Sequence, residues 1–316
     1  MGKNRKIFLA PLILLFVFAA GFITSNFLSS VRAKSADQKY PLLAKRIQTD
    51  NPNDVRLDFR QLHNDIETDL QSFRYGDIDS SNVSIYFEYL PTGVSVNINS
   101  EMEVVAASLM KTAVAMQLYK SIERGAIRMD QEVTITEQML DSRFGELYKS
   151  GAGASYTVRE LLEKMLKESD NTASSAIKDL LAKNNSDVFE LIDSLDLQDE
   201  IDAKGTYWIS ARSYSSIFKC LYFACFNSKA DSQEILTYLS QTTSQDRMTN
   251  LLPDAAIVSH KIGTFNDEFQ SDCGIVYAEN GDANYLLCLM VRGDDPEASK
   301  VLARVSYKVY AYMNGL

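Results

Sequence analysis

Ser108 and Lys111 stand three residues apart, so on a helix they share one face and a hydroxyl can meet an amine. The helix that would carry them lies within Val104–Gly125. It is apolar almost all the way round (Leu109, Met110, Ala113, Val114, Met116, Leu118, Tyr119, Ile122), which places it in the interior of a domain. A lysine at the edge of such a helix loses hydration, which favours its neutral form and fits it to act as a base. A plainer reading has Ser108 capping the helix and Lys111 reaching water. S-x-x-K recurs at Ser175–Lys178 and Ser216–Lys219, inside predicted helices with no turn before them. Only Ser108 sits at a strand-to-helix junction, where unpaired backbone N–H groups can bind an oxyanion.

Further stretches carry similar chemistry. Ser169-Asp170-Asn171 falls between two predicted helices and by itself reads as an N-cap tripeptide. Lys-x-Gly occurs as Lys149-Ser150-Gly151, in a loop among helices, and as Lys261-Ile262-Gly263-Thr264, on a late strand after His260. Context selects the second. His63 and His260 are the only histidines and lie far apart, so neither a His-rich zinc site nor a His-based triad is expected. The base must then be Lys, Asp, Glu or Ser. No metal and no cofactor is expected: the cysteines form no C-x-x-C, and the Gly-rich loop Ser150–Ala154 has no phosphate-binding lysine after it.

The elements that must position these residues follow from periodicity. Phe59–Phe73 has apolar residues at helical spacing. Val83–Leu90 and Val94–Ile98 flank Pro91-Thr92-Gly93 and predict an antiparallel hairpin. From Ala126 to about Ser240 the pattern is almost wholly helical, with Thr157 and Glu160 as a capping box, a helix over Thr172–Lys183, and Ser210 capping a helix that contains Cys220 and Cys225. Strand signals return at Ile257–Phe265, Gly274–Tyr277 and Tyr285–Val291, the last two joined through Asn280-Gly281. Asp295-Pro296 then opens a terminal helix. The expected fold is an α/β (α+β) sandwich: an antiparallel sheet from both chain ends, flanked by helices, with an inserted all-helical subdomain.

Taken in order, Ser-x-x-Lys at a junction, Ser-Asp-Asn between helices and Lys-x-Gly on a late strand form the set found in class A β-lactamases and penicillin-binding proteins. The chain resembles that superfamily of serine acyl-enzymes over roughly Val83 to Leu316, including AASLMK, TVRELLEKMLKESDNTAS and PDAAIVSHKIGTF. The resemblance implies Ser108 as acylated nucleophile and Lys111 as the amine that deprotonates it. Ser169 would relay a proton to the leaving nitrogen, while Asn171 would hold the substrate amide. Lys261 would attract the substrate carboxylate, and the backbone N–H groups of Ser108 and Thr264, beside Gly263, would bind the oxyanion. Substrates would be β-lactams or D-Ala-D-Ala-like ends of wall peptides. There are two departures. Ile262 stands where the family has Thr or Ser, and Leu195–Ser210 lacks the glutamate signature that serves deacylation, with no spacing that selects Asp199, Glu200 or Asp202 in its place. Slow ester release follows, and a silent wall-peptide-binding protein is the alternative.

Compartment comes from the N-terminus. Lys3, Arg5 and Lys6 precede Ile7–Val31, an uncharged run long enough to span a bilayer, so 1–31 is expected to anchor the chain with the domain outside. A cleaved signal is the alternative. Residues 32–55 read as a tether and 56–316 as the hydrolase domain. The net charge of −10 excludes a nucleic-acid partner. The cysteines (Cys220, Cys225, Cys273, Cys288) read as buried thiols, with a Cys273–Cys288 cross-strand disulfide as the alternative.

Overall fold

The computed structural model of the protein describes residues 58–72, 76–197, 200–203, 205–278 and 283–315. In order, the first elements are α1 (Arg60–Ser72), β1 (Val83–Tyr89), β2 (Val94–Ile98), β3 (Glu103–Val105) and α2 (Met110–Glu123). Then come β4 (Glu132–Thr134), β5 (Ser155–Thr157), α3 (Val158–Lys167), α4 (Asn171–Lys183) and α5 (Phe189–Ser194). β6 (Glu200–Ile201), β7 (Tyr207–Ser210), α6 (Ala211–Phe223) and α7 (Lys229–Ser240) complete the middle. The chain closes with β8 (Ile257–Phe265), β9 (Phe269–Tyr277), β10 (Tyr285–Arg292) and α8 (Glu297–Asn314).

Five strands make the main sheet, in the order β2-β1-β10-β9-β8 and antiparallel throughout. Successive side chains of a strand point to opposite faces, and β10 shows what each face meets. Leu287, Leu289 and Val291 pack with Leu62 and Ile66 of α1 and Val301, Leu302 and Val305 of α8. Leu286, Cys288 and Met290 turn the other way, into the core shared with α2, α3 and α6. Because both faces are covered, β1 and β10 are buried almost continuously, and β10 is apolar along nearly its whole length. The predicted sandwich is therefore the observed one, and Val55–Leu316 forms one compact unit.

α2 lies at the centre of the larger core. Ala113, Val114, Ala115, Met116 and Leu118 are all fully buried, and each large apolar side chain so buried stabilises the fold by roughly 1.5–3 kcal/mol. Gly125, at φ 74°, ends it as expected, its N–H donating to the Ile122 carbonyl.

Some expectations need correction. The stretch 126–240 is not wholly helical: β4 pairs with β5, and β7 lies between β3 and β6 in a small sheet. These strands are very short, and β3–β7 and β4–β5 pair residues too distant in sequence to leave a local pattern. β9 begins at Phe269, five residues before the predicted Gly274, because buried Gln270 and Asp272 find polar partners in Arg247 and His260. The cysteines are not free thiols. Cys273 and Cys288 are directly opposed on β9 and β10 and are bonded. Cys220 and Cys225 are bonded across the end of α6, which stops at Phe223, leaving Cys225 outside the helix. The Asn280-Gly281 turn, the 1–31 anchor and the 32–55 tether lie outside the described residues. Among the described residues no helix is long and apolar enough to cross a membrane.

Candidate active site

Ser108 occupies a 3₁₀ turn, Ala107–Leu109, between β3 and α2. Ala107, just before it, has φ 46°, a left-handed conformation that costs a non-glycine residue about 1–2 kcal/mol. Ser169 has φ 54°. Backbone strain beside Ser108 and at Ser169 is held in place by the packed elements around them, a pattern common at functional sites.

The three motifs converge. Lys111, only 4% exposed, places Nζ 3.0 Å from Ser108 Oγ, 2.7 Å from Asn171 Oδ1, 2.5 Å from the Ser169 carbonyl and 3.2 Å from Ser169 Oγ. An ammonium has three protons to donate, fewer than these acceptors. A neutral amine, with two N–H groups and one lone pair, can instead accept from the Ser108 hydroxyl. Burial is the main cause that pulls the Lys111 pKa down to about 7; repulsion from Lys178 adds to it, and Asp170 and Asp141 oppose it. Lys261 is 1% exposed, donates to Ser169 Oγ at 2.9 Å, and is likewise pulled well below the ordinary lysine value, first by burial and then by Lys111. Ser169 Oγ thus joins the two amines.

Ser169-Asp170-Asn171 serves both as a cap and as part of the site. Asp170 is the N-cap of α4, accepting from the Ala173 N–H at 2.9 Å, and it also accepts from the Leu147 N–H at 2.8 Å. Those bonds fix the loop 141–147 against α4. They leave Ser169 and Asn171, on either side of Asp170, turned to Lys111. Ser108, Lys111, Asn171 and Thr264 line a cleft of about 480 Å³.

Gly263 acts through what it lacks. A Cβ there would sit 2.9 Å from Leu109 Cγ and 3.1 Å from the Ala106 carbonyl, so only glycine lets β8 approach the Ser108 turn this closely. Gly263→Ala is expected to destabilise the protein by about 1–3 kcal/mol through overpacking. It should also slow acylation at least about tenfold by displacing Lys261 and Thr264. Thermal melts and adduct formation check this; wild-type values in both would show that Leu109 yields instead.

Sequence reasoning missed Arg247. It is 2% exposed and donates to the Gly263 carbonyl at 2.8 Å, the Ser271 carbonyl at 3.0 Å, Thr264 Oγ1 at 2.7 Å and Gln270 Oε1 at 2.8 Å. It fixes Thr264 from a loop with no periodicity, so no local signal could have found it. It missed Lys178 as well, which lines the cleft from inside α4. His260 has no place in the cleft; its Nδ1 pairs with buried Asp272 at 2.8 Å. Ile262 is buried and does not line the cleft. Of the carboxylates weighed for deacylation, Asp202 accepts from the Thr206 N–H at 2.9 Å and does not line the cleft, while Asp199 and the Glu200 side chain lie outside the description.

The comparisons with known proteins agree with this geometry. A β-lactamase from Phocaeicola vulgatus is 25% identical over 248 residues, covering 69% of this chain and 76% of that protein. The fold is shared with PBP-A, at TM-score 0.70 and 23% identity over 81% of this chain and 97% of PBP-A. It is shared equally with a class A β-lactamase from Bacteroides cellulosilyticus, at TM-score 0.70 and 18% identity over 83% and 100% of the two chains. A substituted form of PBP-A, 24% identical with TM-score 0.70, covering 81% of this chain and 97% of its own, was solved as an acyl-enzyme complex with penicillin G. The family model for the β-lactamase enzyme family matches residues 65–313, most of the chain, and the protein therefore belongs to that family.

Proposed function

We propose that this protein is a membrane-anchored, extracytoplasmic serine acyl-enzyme that reacts with β-lactams or with D-Ala-D-Ala-like ends of wall peptides and releases the acyl group slowly. The observation that carries the reading is the buried Lys111 amine 3.0 Å from Ser108 Oγ, held by Asn171 and Ser169. Ser108 Oγ attacks the carbonyl carbon while its proton passes to neutral Lys111. The carbonyl oxygen becomes an oxyanion facing the backbone N–H groups of Ser108 and Thr264. The C–N bond breaks, and Ser169, between Lys111 and Lys261, passes a proton to the leaving nitrogen. A carboxylate on the leaving side faces Lys261, restores its positive charge and orients the substrate; Asn171 Nδ2 holds the amide. Ser108 then carries an ester.

Release needs an activated water. Asp141 and Asp267 are the carboxylates lining the cleft among the described residues, and Asp141 is engaged by Arg143. That engagement supports slow deacylation. The charged flank of Ile7–Val31 and the two disulfides support an extracytoplasmic, anchored domain. The test is intact-mass measurement over time after mixing the protein with benzylpenicillin or with a D-Ala-D-Ala peptide. A persistent adduct of one penicillin per chain is expected, together with slower cleavage of the peptide. Reversible peptide binding without any adduct would replace this reading with that of a silent binding protein.

A further inference from the structure

The acyl-enzyme reading gives no work to the positive charge of Lys178 in the cleft. Asn171, Ser174, Ser175 and Lys178 recur at helical spacing, so one face of α4 forms the cleft wall. Lys178 is solvent-accessible and receives no hydrogen bond or ion pair from the described residues. Two carboxylates on or near this wall are engaged by other side chains. Asp179 pairs with Lys183 at 2.7 Å, and Asp141 is gripped by Arg143. Asp267 stands on the exposed turn after β8. Lys178 and Lys111 thus line the same cleft, and each lysine has its pKa lowered, mainly by desolvation.

Direction along α4 tells what would fill this space. The leaving group lies at Ser169 and Lys261, before the helix begins. The acyl side of a substrate must extend away from it, past Asn171 and along the α4 wall. Lys178 Cα is about 10 Å further along the axis, and helical side chains lean back toward the N-terminus, so its long stem returns the ammonium toward the cleft.

We propose that the α4 wall from Asn171 to Lys178 is an anion subsite that takes a free carboxylate on the acyl side chain of the substrate, with the Lys178 ammonium as counter-charge and the Ser174 and Ser175 hydroxyls beside it. The proposal rests on the acyl-enzyme reading and narrows its substrate class to acyl donors that carry a side-chain carboxylate.

The test uses the full chain and two penicillins that differ by one group: benzylpenicillin and its α-carboxybenzyl analogue. Acylation rates are read by intact mass, and the ratio of the two is the readout, because a general loss of fold or of reactivity moves both together. Wild type is expected to favour the carboxylated compound by about tenfold, Lys178→Met to bring the ratio to about one, and Lys178→Arg to keep the preference. A wild-type ratio near one, or a preference that survives Lys178→Met, overturns the subsite while the acyl-enzyme reading stands. Absence of any adduct on wild type overturns both. Loss of ester hydrolysis in Lys178→Met, equal for the two adducts and without a change in the acylation ratio, would make Lys178 a base for release and also sink the subsite.

Discussion

Ser108→Ala is expected to abolish covalent labelling by penicillin, with the wild-type chain labelled to completion under the same conditions. Among the described residues, the hydroxyls bonded to Lys111 are those of Ser108 and Ser169. Ser169 Oγ accepts from Lys261 and Lys111 and is enclosed at 4% exposure, whereas Ser108 is half-buried at the cleft surface. Removing a nucleophile leaves only binding and the oxyanion donors, which form no bond. Ser108 lies in a 3₁₀ turn whose fold rests on Ala106 and Leu109, so the alanine variant should melt close to wild type. Equal adduct on both proteins would refute the assignment of Ser108.

The second large effect belongs to Lys111. Its pKa is pulled down to about 7 by burial, so the neutral, proton-accepting form grows as pH rises toward that value. The rate of acylation at saturating penicillin is expected to rise about tenfold per pH unit on the acid side and to level off near or below pH ~7. The midpoint shifts lower in the complex, because a bound carboxylate restores the charge on Lys261 and a cation beside Lys111 disfavours its own protonation. Lys111→Arg keeps a permanent positive charge, offers no lone pair, and should lower acylation by about 10²–10⁴-fold with no acid limb left. A flat profile in wild type between pH ~5 and ~8 would mean that another group takes the Ser108 proton.

How far the sequence reached depends on the distance over which each signal acts. Ser108-x-x-Lys111 was legible because a strand, a turn and a largely apolar helix meet there within twenty-two residues, Val104–Gly125. Thr157 and Glu160 announced the α3 capping box for the same reason, and the structure shows both bonds. Asp170-Asn171 reads locally as a cap; only its order between Ser108-x-x-Lys111 and Lys261-x-Gly263 pointed to a site, and Lys111 Nζ, 60 positions upstream of Asn171, rests against the asparagine. Arg247, the Ala107 backbone and the β3–β7 pairing left no local trace. Each exists because distant segments pack together, and none repeats a period. Ser175–Lys178 was set aside for sitting inside a helix. It does sit inside one, but that helix forms the cleft wall.

The order of strands has a bearing on how the protein is made. β1 lies between β2 and β10, and β10 is nearly the last part of the chain to be synthesised. As the polypeptide emerges, β1 and β2 have only each other, and a lone two-stranded hairpin is marginally stable in water. The α2 helix, with Ser108 at its head, is then left with an apolar surface and no sheet to cover it. Lys261 reaches Ser169 across 92 positions, so the reactive centre cannot form ahead of the C-terminal third. A chain emerging from synthesis N-terminus first therefore remains chemically inert at that stage. It becomes reactive only after Tyr285–Arg292 has followed and slotted between β1 and β9.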